Sequence, residues 1–172
     1  MRFIRRRPPR LDPKFLVDTS EIVRIDRRVV PFIATNTNGE PWSSAALEGA
    51  TPTLVLFVKD HCDGCIAFLD AAVDPAGSGL VEHERLIVVV GDTDTHARAV
   101  LGASNALEAV LVGPEVGRAL RVPGAPFFSL VAADGSAVLS EGVAFGVAQV
   151  RGHCRSALAG LDPSVPRLGD GV

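Results

Sequence analysis

Cys62 and Cys65 stand in the segment FVKDHCDGCIAF, residues 57–68, separated by Asp63 and Gly64. Two thiols at this spacing can clip a metal ion, pass electrons as a dithiol–disulfide pair, or sit unused in a core. Zinc takes about four ligands. The chain offers one CxxC, His61 beside it and a distant His153-Cys154 pair, with no second CxxC. A peroxidatic cysteine wants a Thr and a Pro ahead of it, and Lys59 and Val55 occupy those places. The redox reading asks for a strand that feeds directly into the CxxC at the start of a helix. Unpaired backbone N–H groups and the helix dipole at such a start favour a thiolate. They bring a thiol pKa of about 8.5 down toward roughly 3.5–7.5. Cys62 is then the attacking nucleophile, and Cys65, one turn later and more buried, resolves the mixed disulfide.

The surrounding elements supply that context. TLVLFV (53–58) is a continuous apolar run of β-formers, the pattern of a strand covered on both faces. Lys59, Asp60 and His61 form a loop, and a helix follows from Cys62 to about Val73, with Ile66, Phe68, Leu69 and Val73 on its apolar face. LIVVV (86–90) reads as a second buried strand. A helix over about 94–102 follows it, capped by Asp92 or Thr93. EAVLVG (108–113) is a third apolar run and PEVGRALRV (114–122) a short helix with Pro at its start. FFSLVA (127–132) and SAVLSE (136–141) pair as a hairpin through Asp134-Gly135. A last helix over about 146–159 buries Val147, Val150, Cys154 and Leu158. Ahead of all this, VVPFI (29–33) reads as a short strand, TNTNGEPW (35–42) as a turn, and Ser43 or Ser44 as a cap for a turn reaching Leu47. Strands alternate with helices and a hairpin follows, which defines an α/β domain with a mixed central sheet flanked by helices.

The chain has 172 residues, 47% of them hydrophobic and 22% charged, the make-up of one globular domain. Three cysteines are too few for a disulfide-stapled scaffold. The net charge of −3 is uneven. Residues 1–28 hold nine Lys/Arg and four Asp/Glu, or +5, which leaves −8 for the rest. The acidic body argues against nucleic acid as a partner. Residues 1–28 are read as a basic arm, 29–160 as the domain and 161–172 as a flexible tail. No apolar run is long enough to span a membrane, and no apolar stretch follows the basic start as a signal peptide requires. The expectation is a cytoplasmic protein, or an extracytoplasmic one if an anchor or signal has been removed.

Three segments carry a resemblance to the thioredoxin-fold superfamily. LVLFVKDHCDGC resembles its strand–CxxC–helix. RVPGAPFFSLVAADGSAV (121–138) resembles the segment with the cis-proline, a strand and an Asp-Gly hairpin. FIATNTNGEPWSSAAL (32–47) resembles the N-terminal extension of TlpA-type thioredoxin-like proteins. Within that group, FVKDHCDGC is most similar to the methylamine dehydrogenase accessory (maturation) proteins. The resemblance covers about residues 29–160. It implies a thioredoxin-like fold with an N-terminal extension, a cis peptide before Pro126, and a substrate strand paired along Ala125-Pro126. It further implies a protein thiol or disulfide as substrate, a dithiol protein as electron donor or acceptor, no bound cofactor and no bound metal.

The chain departs from the thioredoxin pattern at three places. His61 stands where thioredoxins usually carry Trp. Leu56 stands where they bury an Asp, so the proton acceptor for Cys65 is open among Asp60, His61 and water. Asp63 within the CxxC puts a carboxylate at the same helix start as the thiolate, which opposes ionisation of Cys62 and favours a reducing potential. Lys59, Asp60, His61 and Asp63 are therefore the candidate modulators. Cys154 reads as a small buried hydrophobe, with a second resolving thiol as the alternative. The function expected is thiol–disulfide exchange with a protein partner. The alternative is a binding or maturation module of the same fold that recognises a partner or holds a metal through Cys62 and Cys65.

Overall fold

The computed structural model describes residues 25–160. The first 24 residues of the basic arm and the tail 161–172 lie outside the described residues. The apolar runs form the centre of one eight-stranded sheet. β1 is Arg27–Arg28, β2 Ile33–Asn36, β3 Pro41–Ser43, β4 Thr53–Phe57, β5 Arg85–Val90, β6 Ala109–Val112, β7 Phe127–Val131 and β8 Ala137–Val143. The helices are α1 Asp63–Val73, α2 Thr95–Gly102, α3 Glu115–Ala119 and α4 Val147–Ala159. The sheet order is β1-β8-β7-β4-β5-β6-β2-β3. β4, β5 and β6 run parallel, and β7 returns antiparallel against β4. The chain thus has the mixed sheet with flanking helices expected from its sequence.

β4 is central because every one of its five residues is buried. Leu54 and Leu56 point into a cluster with Phe68 of α1, Leu101 of α2 and Val150 of α4. Val55 and Phe57 point the other way, toward Val116 and Leu120 in and after α3. A strand covered on both faces has no polar side to show, so its sequence cannot alternate. Full burial of side chains such as Phe68, Phe128 and Leu56 contributes roughly 1.5–3 kcal/mol each.

Several local readings shift. The strand expected over 29–33 lies instead at Ile33–Asn36, since Pro31 has no N–H for a ladder and the turn at Gly39 (φ +82°) sets the pairing of β2 with β3. Two residues of the segment read as an arm, Arg27 and Arg28, form an edge strand against β8. Ile66 and Val73 are exposed rather than on the buried face of α1; Cys65, Ala71 and Ala72 fill that face with Phe68 and Leu69. In α4 the buried positions also include Arg151, a charged residue outside the apolar set Val147, Val150, Cys154 and Leu158. Its guanidinium pairs with Glu84, and the two side chains are 5% and 2% exposed.

Candidate active site

The route to the site starts at the end of β4. Phe57 is paired with Phe127, so the CxxC loop leaves β4 where Pro126 enters β7. Cys62 caps α1 in extended backbone (φ −122°, ψ 104°), and the Cys65 amide donates to its carbonyl at 2.8 Å. Cys62 and Cys65 form a disulfide with Cα atoms 5.2 Å apart, inside the ordinary range of about 4.4–6.8 Å. Cys62 is half-buried and Cys65 has no exposed surface. Of the two, only Cys62 keeps exposed surface.

Pro126 lies against the CxxC at Gly64. The Ala125–Pro126 peptide is cis. A Cβ on Gly64 would stand 3.2 Å from Cγ of Pro126 and 3.6 Å from its Cδ, so the bare Gly64 backbone is what lets the ring approach the CxxC. The Pro126 carbonyl accepts from the amide of Ala144 at 3.1 Å. Ala125, the residue before it, is half-buried.

The loop between β4 and α1 is held from the side. Asp94 accepts the amide of Asp60 at 2.9 Å and the amide of Gly91 at 2.7 Å. Asp60 in turn accepts the amides of His96 at 3.0 Å and Ala97 at 2.9 Å, in the first turn of α2. Partial burial pushes the Asp60 carboxyl up, but the amides of Ala97 and His96 outweigh it, helped by the His96 and His61 imidazoles. The net position is below the ordinary carboxylate value. Asp60 therefore caps the first turn of α2. The caps expected for α2 were Asp92 or Thr93. Asp94 is the residue at that end, and its carboxylate is turned back onto the CxxC loop. The run Gly91-Asp92-Thr93-Asp94 offers several cap-type residues, and only the tertiary contact with Asp60 separates them.

Lys59 and Asp63 are exposed, and His61 is exposed in the left-handed region at φ +52°. Leu56, at the position of the thioredoxin aspartate, has no exposed surface. Cys65 is enclosed in the apolar cluster that also contains Leu56, Phe68 and Cys154. Cys154 lies there with its pKa pushed up to about 12, chiefly by burial. Between α1 and α2 a cleft of about 650 Å³ opens beside Cys62, with Ile66, Leu69 and Val100 as its apolar surface and Asp60, Asp63 and Asp70 among its acidic lining. Among the described residues, no group of three or more His, Cys, Asp or Glu side chains is placed to hold a metal ion.

No protein-family model and no curated protein matches the chain. Solved structures do. A secreted Mycobacterium tuberculosis disulfide oxidoreductase homologous to E. coli DsbE is 22% identical, with a TM-score of 0.55 over 73% of this chain and 95% of that one. A thiol:disulfide interchange protein of the thioredoxin family from Chlorobium tepidum is 19% identical, with a TM-score of 0.60 over 78% and 97%. The exposed lipoprotein thioredoxin of Streptococcus pneumoniae is 16% identical, with a TM-score of 0.54 over 75% and 98%. The chain has the thioredoxin-like fold.

Proposed function

We propose that this protein is a thiol–disulfide oxidoreductase that exchanges disulfides with a protein partner through Cys62 and Cys65. The observation that carries the reading is the asymmetry of the pair. One cysteine is half-buried at the start of α1, the other is fully buried, and a cis-proline lies against the glycine between them. In the reducing direction the Cys62 thiolate attacks one sulfur of the partner disulfide, and the partner's other sulfur leaves as a thiolate. The Cys65 thiolate then attacks the Cys62 sulfur and releases the second partner thiol. Two electrons pass to the partner, and the Cys62–Cys65 disulfide is formed. The oxidising direction is the reverse, opened by a partner thiolate on Cys62. The partner segment lies along Ala125 and Pro126. A second dithiol protein restores the starting state, and no bound cofactor takes part.

The names of the similar structures support this activity, and those described as secreted or as an exposed lipoprotein support an extracytoplasmic setting over a cytoplasmic one. Among the described residues no helix is long and apolar enough to cross a membrane. A nearer relation to the TlpA-type proteins, and to the methylamine dehydrogenase accessory proteins in particular, rests on FIATNTNGEPWSSAAL and FVKDHCDGC. The activity is tested by mixing the reduced Cys65→Ser variant with a peptide disulfide. A stable mixed disulfide on Cys62 is expected. No adduct, or an adduct on Cys154, contradicts the assignment.

A further inference from the structure

Lys59 is a ridge between two clefts of unlike charge. On one side is the acidic α1–α2 cleft. On the other, a crevice of about 580 Å³ opens at the C-terminal ends of β4 and β5 and reaches Ala125. In sheets with a parallel core, ligands bind in crevices outside the carboxyl ends of the strands. The crevice surface is apolar where Phe57, Val89 and Val122 line it, and Lys59, Arg118 and Arg121 line it too.

The charges on that rim are not equivalent. Arg118 is paired with Glu115 at 2.9 Å. The Asp94 carboxylate is occupied by the amides of Gly91 and Asp60. Asp92 lies over Gly113, just past β6, two strands from β4. Lys59 and Arg121 are exposed, and among the described residues neither side chain has an ion-pair partner. Two cations without an ion-pair partner thus flank an apolar hollow that runs up to the residue preceding the cis-proline, with Asp92 and Asp94 on the wall away from Ala125 at the ends of β5 and β6.

We propose that this crevice is the specificity surface for the protein substrate, and that it takes a segment with an acidic side chain beside the reactive cysteine. The proposal rests on the thiol–disulfide reading. It adds a substrate class, an acidic and apolar segment laid across Ala125 with its carboxylate between Lys59 and Arg121. The α1–α2 cleft, where Asp60, Asp63 and Asp70 outnumber Lys59 beside His61 and His96, repels the same segment, so the charge pattern also fixes which way it lies.

The test uses the oxidised full chain and two dithiol peptides that differ only in glutamates or lysines flanking the cysteines. The peptide dithiol is oxidised while Cys62–Cys65 is reduced, and thiol trapping with mass spectrometry follows both. Each rate is divided by that peptide's own rate with the neutral hydroxyethyl disulfide, which removes the effect of the flanking charges on the peptide thiol. At low salt the glutamate peptide is expected to react about tenfold faster, with the ratio falling toward one in concentrated salt. Arg121→Glu and Lys59→Glu are each expected to bring the ratio to one or below. A substitution that merely alters Cys62 would change both rates together. A ratio of one at low salt overturns the proposal, and a preference for the lysine peptide would move docking to the α1–α2 cleft. If dithiothreitol also fails to reduce the pair, the exchange activity itself is wrong and the proposal falls with it.

Discussion

Asp60 and Asp94 hold each other's loops. Asp94 accepts the amide of Asp60 at 2.9 Å, while Asp60 reaches past it to accept the amides of His96 and Ala97 at the start of α2. Two aspartates with no direct bond between their carboxylates join the CxxC loop to the neighbouring helix. Asp94 is 8% exposed, so its loss leaves the amides of Asp60 and Gly91 short of an acceptor. Asp94→Ala should cost about 1–3 kcal/mol in urea unfolding. It should also lower hydrogen-exchange protection at the Asp60 amide. Unchanged protection there would mean that the clamp does not hold the loop.

Gly64 is the point where α1 meets Pro126. An added methyl would press on the ring at 3.2 Å, closer than ordinary contact. Gly64→Ala should slow exchange with peptide dithiols severalfold, through displacement of the platform. Gly152→Ala, where a Cβ meets nothing within 4 Å, should leave the rate unchanged. Equal rates for the two variants would remove Pro126 from the account.

Asp63 sits in the first turn of α1, where the dipole favours anions. In the reduced protein it competes with the Cys62 thiolate. At a separation of about 6 Å the repulsion is roughly 0.7 kcal/mol in water and about 2.8 kcal/mol at an effective dielectric of 20. Asp63→Asn should therefore lower the Cys62 pKa by about half a unit to two units. Thiolate absorbance against pH measures this, and an upward shift would contradict the assigned role.

Glu84 and Arg151 give the fold an acid-sensitive joint away from the site. Glu84 accepts from Arg151 at 2.9 Å and from the amides of Glu82 and His83. Burial pushes its carboxyl up, but the amide of Glu82 and the Arg151 guanidinium outweigh burial, and the net position is below the ordinary 4.5. A folded-state pKa below the unfolded one gives stability that is present above the unfolded value and lost as pH falls through the folded one. Thermal stability should thus fall as the pH drops below about 4.5. Glu84→Gln should flatten that slope and cost about 3 kcal/mol near neutral pH. A variant with the parent's acid slope would place the sensitivity elsewhere.

The legible parts of this molecule were those that act locally. TLVLFV declared a strand with no solvent face, and Cys62, Asp63 and Gly64 declared a helix start, since each depends on residues adjacent in the chain. Ile66 and Val73 show the limit, because helical spacing alone does not say which arc of α1 meets the sheet. Asp94, Arg151 and the part Gly64 plays beneath Pro126 were hidden for another reason, although the resemblance had already set that proline against the CxxC. Their partners lie 34, 67 and 62 residues away, and only the folded sheet brings them together. A buried Arg151 looks like any solvated arginine until Glu84 stands beside it.

The central claim is that Cys62 and Cys65 form a reversible two-electron couple. The most direct measurement is its equilibrium potential, set by dithiothreitol or glutathione buffers and read by thiol trapping with mass spectrometry. The account predicts one two-electron transition confined to Cys62 and Cys65, abolished in Cys62→Ser, with Cys154 untouched in the folded chain. It also predicts a potential nearer the reducing value of about −270 mV than the oxidising value of about −120 mV. A pair that stays in one state across the whole range of buffers would contradict the account. The same cysteines would then serve a binding or maturation module rather than an oxidoreductase.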